Sequence, residues 1–499
     1  FLADIMEDRN KGKRGASPNI SNSTRPKLSH GVFEEACLND FIGSEAFKTL
    51  YRKNADCETT DCVLFNEPFK CCAITNAIKS QTFLEGLKEE LLALHFVEKN
   101  NDLYKFHQST DLMNVTSTHI ASIKNCFYED FKNIIEDVCD VKINKHVDLT
   151  ASCYEQTDVL LCHDDKLEGR IVAFILYLVP QWQEEDGGRF DMFSTDDHNQ
   201  PILVTKSLLP MWNQLVFFEV THNSFHQVSE VLAEDKMRLS ISGWLHGSRK
   251  TSKVVTRCSE ISPVPTCPKE FQEEDFFSWI NPNYIDPIVQ KEIKEKFEDS
   301  SEIQLESFIQ PKIYQEVCKA LKDNGLNWSH KGPANKRNYE GLDEDNCPKI
   351  LRDCFSFLNS EALFLVLSQL TGLALHRKGP CNSNEKGPCS ISELRQWRHG
   401  CYTLVHDDAP RFSDYTLDGI MYFNCDNWDV GMGGFTSYIS EGEDEELLSV
   451  LPKSNSLCLV YRDQLTVKFV KYINCLAVDA KPELRFQDMS ISYYEDIKE

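Results

Sequence analysis

The sequence lacks any apolar run of the roughly 18–20 residues that a membrane-crossing helix requires. Its most hydrophobic stretch, "ALFLVLSQLTGLAL" at 362–375, is shorter and carries polar residues. It is also short of basic charge: 53 Lys and Arg stand against 78 Asp and Glu, a formal net charge of −25. That balance argues against sequence-independent binding of nucleic acid, which relies on a basic footprint. It suits solubility, and it would steer a basic protein partner inward. The 20 Cys form no dense framework, and the tightest group, Cys57, Cys62, Cys71 and Cys72, lacks the paired short spacings of a zinc site. Reduced thiols in the cytosol or nucleus are expected, leaving the sequons at Asn19, Asn22 and Asn114 unused. The first residue is Phe1 rather than Met, which leaves room for a targeting segment upstream.

The chain's 499 residues exceed one ordinary core, so two or three domains are expected. Residues 1–30 are polar and basic and read as a disordered lead, with Lys11, Lys13 and Arg14 a weak nuclear address. "SQTFLEGLKEELLALHF" (80–96) predicts a helix after a Ser cap, with Phe83, Leu84, Leu87, Leu91 and Leu94 on one face. From about 150 to 245, short β-branched and aromatic runs separated by Gly, Pro and Asn predict a strand-rich sandwich or barrel. Residues 248–270 read as a linker, 283–323 and 350–373 as helical, 376–390 as a loop, and the remainder as strands.

Helices followed by strands thus occur twice, and five matches keep one order. They are "IKSQTFLEGL" (78–87) with "IQPKIYQEVC" (309–318), and "LCHDDKLEGR" (161–170) with "LVHDDAPRFS" (404–413). Next come Trp182 before Gly187-Gly188 with Trp428 before Gly433-Gly434, then "LPMWNQLVFFEV" (209–220) with "LPKSNSLCLVYR" (451–462), and last "LSISGW" (239–244) with "MSISYY" (489–494). The pattern predicts a tandem duplication of one helix-plus-strand domain.

Three His-x-Asp pairs occur: His146/Asp148, His163/Asp165 and His406/Asp408. The first is followed by no matching later elements and reads as accidental. A mononuclear non-haem iron site needs two imidazoles and one carboxylate on one side of the metal. In a strand, residues two apart project to the same side, so His163 and Asp165 can begin such a site. The third ligand must come from a later strand; His226 offers it, with His222 as the competitor. Beyond it, Arg238, Ser240 and Ser242 share a face opposite Leu239 and Ile241, and a buried Arg there needs an anion. His198, in "DDHNQ", reads as a solvated loop residue, and Gly187-Gly188 as a tight turn near the site.

This order resembles the 2-oxoglutarate- and Fe(II)-dependent oxygenases. The runs "TDVLLCHDDKLEGRIVAFILYLVPQW", "KSLLPMWNQLVFFEVTHNSFHQVSEV", "RLSISGWLHG", "GGFTSYISEGEDEELL" and "SLCLVYRD" resemble one eukaryotic branch, which hydroxylates a prolyl residue in a small-subunit ribosomal protein. The resemblance covers most of residues 80–499 and implies an α+β chain of two tandem double-stranded β-helix (jelly-roll) domains with flanking helices. It implies His163, Asp165 and His226 as iron ligands, with Arg238 and the Tyr177 hydroxyl holding the distal carboxylate of 2-oxoglutarate. It further implies Fe(II) and 2-oxoglutarate as cofactor and cosubstrate, ascorbate as reductant, prolyl 3-hydroxylation of a ribosomal protein, and a cytoplasmic and nuclear location. An oxygenase with another target, or a non-catalytic scaffold or oxygen sensor, is the alternative.

Carried to the second copy, the same offsets keep His406 and Asp408. They place Lys468 opposite His226, Asp488 opposite Arg238, and Phe423 or Tyr422 opposite Tyr177. An ammonium is a poor iron ligand, and an anion would repel the carboxylate that Arg238 would hold. The expected organisation is a lead at 1–30, a catalytic jelly roll at 31–247, a linker at 248–270, and a degenerate, non-catalytic jelly roll at 271–499. The second copy could pack on the first, mediate self-association, or present the acidic run "EGEDEELL" (441–448) to a basic substrate.

Overall fold

Alternation along one strand organises the first half. Leu239, Ile241 and Leu245 of the strand Arg238–Ser248 enter an apolar core, while Arg238, Ser240 and Ser242 line a cavity on the other face. The computed structural model describes residues 34–53, 55–167, 169–248, 263–376, 387–405, 412–480 and 483–495. The expected disordered lead with Lys11, Lys13 and Arg14, most of the expected linker, and the pair His406/Asp408 lie outside the described residues.

Helices cover the apolar face. Ser80 Oγ accepts from the Phe83 amide at 3.1 Å and caps Gln81–Leu92, which buries Phe83, Leu84, Leu87 and Leu91. Phe127 and Phe131 pack on Phe174 with ring centroids 4.7 and 5.6 Å away. The capped helix ends sooner than its periodicity predicts. Phe96 opens a strand, Phe96–Asn100, because pairing with Tyr104–Ser109 captures the backbone there.

The antiparallel strands of the first half run Cys71–Ile74, Gln214–Glu219, Arg170–Tyr177, Arg238–Ser248, Lys142–Tyr154, Tyr104–Ser109, Val159–His163, His226–Val228, Phe190–Thr195 and Pro201–Leu208. The second half repeats the first part of this order as Glu302–Glu306, Ser456–Asp463, Tyr415–Phe423, Phe486–Tyr494 and Cys389–Trp397. It repeats the last part as Thr466–Val470, Thr436–Ser440 and Glu446–Val450.

Matched hydrogen bonds reinforce the correspondence. Asn213 and Asn455 both adopt left-handed backbone, at φ 57° and 55°, a conformation that Asn tolerates. Their amides donate to Tyr177 O and Tyr422 O, and their side chains close the same pair of bonds onto Ile78 and Ile309. Trp182 Nε1 donates to Gly187 O, and Trp428 Nε1 to Gly433 O, each at 2.9 Å.

The two halves touch. Val159 and Leu161 pack against Tyr402 and Leu404. The buried Glu230 accepts from the Cys475 amide at 2.8 Å and from Tyr472 OH at 3.2 Å, and lies 2.6 Å from His399 Nε2. The described end of the expected linker is attached rather than free: Thr266 exchanges backbone bonds with Ser390, and Lys269 N donates to Asn359 O. Among the described residues no helix is long and apolar enough to cross a membrane. The 362–375 run contributes a largely buried helix, Glu361–Thr371, ended by Gly372 at φ 82°. The described cysteines are free thiols, most of them buried.

Candidate active site

Two imidazoles face one carboxylate on neighbouring strands. His226 pairs directly with His163 in the antiparallel register, and their ring centroids lie 4.3 Å apart. His163 Nε2 is 3.4 Å from Asp165 Oδ1, and His226 Nε2 is 3.5 Å from Asp165 Oδ2. Each ring is anchored through its other nitrogen: Nδ1 of His163 lies 2.8 Å from Leu161 O, and Nδ1 of His226 lies 2.8 Å from Ser224 O. Such carbonyls fix the proton on Nδ1 and leave the Nε2 lone pair directed at Asp165, the tautomer that a metal needs. Two imidazoles and one carboxylate, all inside a 4.8 Å span, suit Fe(II) with positions left open on one side.

Asp165 reaches this place by a different route from the one its spacing predicts. The strand ends at His163, and Asp165 follows in left-handed backbone at φ 59°. A turn, not strand alternation, brings the carboxylate round. The turn is held by Leu167 N donating to Asp165 O and by Ser224 Oγ donating to Asp164 O. The competing His222 lies in the turn before His226 and is outside the cluster.

Burial disfavours a charged His163, but the Asp165 carboxylate outweighs it and holds the imidazole above its ordinary value. Burial and the neighbouring His163 hold His226 below its own. Burial resists ionisation of Asp165 too, yet the two imidazoles hold its carboxyl well below the usual range. Phe69, Phe190 and Phe218 pack around His226 and keep water from that side.

Deeper in the same cavity sits Arg238, 1% exposed. Its Nε donates to Gly188 O at 2.8 Å and its Nη2 to Tyr177 OH at 3.2 Å; no carboxylate among the described residues pairs with it. A buried guanidinium answered only by neutral oxygens is costly unless an anion joins it. Burial pushes the Tyr177 phenol up, so its hydroxyl keeps a proton to donate while accepting from Arg238. The two groups together suit one end of a dicarboxylate. Gly188 serves this geometry through close approach: it has φ 62°, and a Cβ there would lie 3.1 Å from Arg238 Cδ.

The second half fills the corresponding places with other chemistry. Lys468 pairs with Tyr438 as His226 pairs with Met192, two residues beyond the partner of the matched pairs Val470–Thr436 and Val228–Phe190. Its ammonium is 3.0 Å from Asp418, a fully buried carboxylate that also accepts from Arg462 Nε at 2.6 Å. Tyr422, rather than Phe423, corresponds to Tyr177, as the bonds to Asn455 and Asn213 show. The expected match of Asp488 to Arg238 is corrected by two residues. Asp488 pairs with Tyr422, where Ser240 pairs with Tyr177. The place of Arg238 belongs to Phe486, whose ring lies 3.1 Å from a Cβ at Gly434. Asp488 is instead held by Arg395 at 2.7 and 2.9 Å and by Trp397 Nε1 at 2.9 Å.

Two neighbours of the first cavity escaped the sequence reading. Arg170 Nη1 lies 3.8 Å from Asp165 Oδ1, and its guanidinium stacks 3.7 Å over the Trp244 ring. "EGRIVAF" shows a cation entering a strand, but not which carboxylate it meets.

Residues 149–246 match the 2OG-Fe(II) oxygenase superfamily, and residues 272–499 match the "Oxoglutarate and iron-dependent oxygenase degradation C-term" family. The mouse (Mus musculus) prolyl 3-hydroxylase OGFOD1 is 40% identical over 97% of this chain and 100% of its own length. The Drosophila melanogaster prolyl 3-hydroxylase sudestada1 is 30% identical over 83% of this chain and 81% of its own. A relative from Ostreococcus tauri, 28% identical over 89% of this chain and 98% of its own, is named a prolyl 3,4-dihydroxylase. The chain belongs to the 2OG-Fe(II) oxygenase superfamily, in its prolyl hydroxylase branch.

Proposed function

We propose that this chain hydroxylates C3 of a prolyl residue in a basic protein, a small-subunit ribosomal protein, at a site in its first half. His163, Asp165 and His226 hold Fe(II), while Arg238 and Tyr177 hold the distal carboxylate of 2-oxoglutarate. When bound, iron and 2-oxoglutarate supply the oxidising chemistry: the keto acid and O2 give succinate and CO2, and one oxygen atom enters the C–H bond. The chain's own residues prepare for this. Leu161 O and Ser224 O fix both imidazoles in the metal-ready tautomer. Gly188 O and Tyr177 aim the Arg238 guanidinium. The aromatic wall of Phe69, Phe190 and Phe218 shields the site from bulk water.

One observation carries the reading: an Nδ1-anchored His–Asp–His cluster shares its cavity with a buried arginine that no carboxylate among the described residues neutralises. The C3 position follows the names of the mouse and Drosophila relatives. A basic substrate follows from the net charge of −25 and the acidic run at 441–448. The repeated strand order supports two tandem jelly rolls, catalytic over 31–247 and non-catalytic over 271–499, joined through 248–270. Ascorbate as reductant and action in cytoplasm and nucleus complete the proposal. The test is mass spectrometry of small-subunit ribosomal peptides incubated with the chain, Fe(II) and 2-oxoglutarate. Gain of one oxygen on proline, lost in His226→Ala, is expected. Gain that persists in His226→Ala overturns the site assignment, and absence of any gain overturns the substrate.

A further inference from the structure

The His-x-Asp pair at 146 and 148, accidental by its sequence context, acquires a partner in the fold. Asp148 pairs with Trp244 across the sheet, and His246 lies two residues further along the second strand. Between Leu245–Val147 and Gly247–Ile143 the ladder skips unequal lengths, one residue on one strand and three on the other. His146 and His246 meet at this break, their ring centroids 4.5 Å apart. His146 Nε2 is 3.0 Å from Asp148 Oδ1, and His246 Nε2 is 2.9 Å from Asp148 Oδ2. One ligand atom from each residue lies within 4.8 Å of the others. The side chains are 62%, 29% and 12% exposed for His146, Asp148 and His246, so solvent reaches the cluster.

We propose that His146, Asp148 and His246 form a second metal site that takes a borderline divalent transition metal, Zn(II), Ni(II) or Cu(II). Two imidazoles and one carboxylate match the preference of these ions and leave further positions to water. The donors repeat those of the buried cluster, but the setting differs. The buried imidazoles have their Nδ1 tied to backbone carbonyls, whereas these two direct Nε2 at hydrogen-bond distance to Asp148. Arg170 is the opposing group: its Nη2 lies 3.8 Å from Asp148 Oδ2 and weakens attraction for a cation. The same guanidinium lies 3.8 Å from Asp165 Oδ1, so it retains an anionic neighbour when Asp148 turns to a metal. The site lies just past Trp244, at the end of the strand face that lines the oxygenase cavity. It stands apart from the iron reading and does not depend on it.

Zn(II) titration of the full chain against a chromophoric chelator, repeated on His146→Ala, tests the proposal. His146 is exposed, so its removal leaves the fold intact. Loss of a metal partner beyond the direct ligands already weakens binding about 10–100-fold. One equivalent of Zn(II) should therefore weaken by at least tenfold, with the other equivalents unchanged. With the buried cluster removed by His163→Ala/His226→Ala, Cu(II) electron paramagnetic resonance should show hyperfine coupling to two imidazole nitrogens, falling to one when His146→Ala or His246→Ala is added. Superimposable Zn(II) titrations for wild type and His146→Ala, or Cu(II) spectra unchanged by both substitutions, would overturn the second site.

Discussion

Where the first half places His226, the second places Lys468, and where the first buries Arg238 beneath Gly188, the second buries Phe486 beneath Gly434. Five strands of the first part and three of the last keep one order, and the glycine turn, the tryptophan bond and the left-handed asparagine recur, so at these matched positions the difference lies in the side chains. The first cavity gathers charges that remain open toward a ligand. Among the described residues the second pairs its buried charges internally: Asp418 with Lys468 and Arg462, and Asp488 with Arg395. A cavity whose ions neutralise one another has no electrostatic need of a metal or a keto acid. The contrast teaches that one scaffold can keep its backbone bonds while its buried charges are left open in one half and paired with one another in the other.

The strongest way to break this comparison is to exchange the importance of matched residues. His226→Ala should reduce succinate formation to background, while Lys468→Ala should leave turnover per folded molecule unchanged. Equal losses in both would erase the distinction. On stability the order reverses. Asp418→Asn leaves Arg462 and Lys468 buried without their anion and should cost about 3–5 kcal/mol by denaturant unfolding. Arg238→Met should raise the KM for 2-oxoglutarate about 100-fold, close to 3 kcal/mol for the lost charge-assisted bonds. Phe486→Leu should leave that KM untouched.

Acid sharpens the comparison further. Burial opposes the charge on Asp418, but Arg462 and Lys468 together lower its pKa from 3.8 to about 2. A carboxyl depressed on folding stabilises fully above its unfolded value and loses that contribution as pH falls through the folded one. Wild type should therefore lose about 2 kcal/mol from this group between about pH 4 and 2. Asp418→Asn should lack that step, and an unchanged acid limb would reassign it. The smallest effect is expected at the surface. Neutralising Glu441, Glu443, Asp444, Glu445 and Glu446 should raise the KM for a basic peptide by less than about tenfold and flatten its salt dependence.

Much of the site was legible because strands have a period of two. That period put Arg238, Ser240 and Ser242 on the face opposite Leu239 and Ile241, as the fold shows. The same period hid the error at Asp488. A slip of two residues leaves every side chain on its original face, so matching "SISGW" with "SISYY" cannot reveal it; only the bonds to Tyr422 and the packing on Gly434 do. Asp165 joins the cluster by a route that its spacing does not show, since a left-handed turn is not written in a His-x-Asp spacing. His246 was missed as the partner of His146 and Asp148 because their meeting depends on an irregular ladder between distant strands.

The most direct measurement of the central claim counts chelates. Anaerobic titration of the full chain with Fe(II) and 2-oxoglutarate, followed by the charge-transfer absorbance of the iron–keto acid chelate, should saturate at one chelate per chain. The band should be absent in His226→Ala and unchanged in Lys468→Ala. Saturation at two, or a band that survives His226→Ala and disappears with Lys468→Ala, would contradict the account.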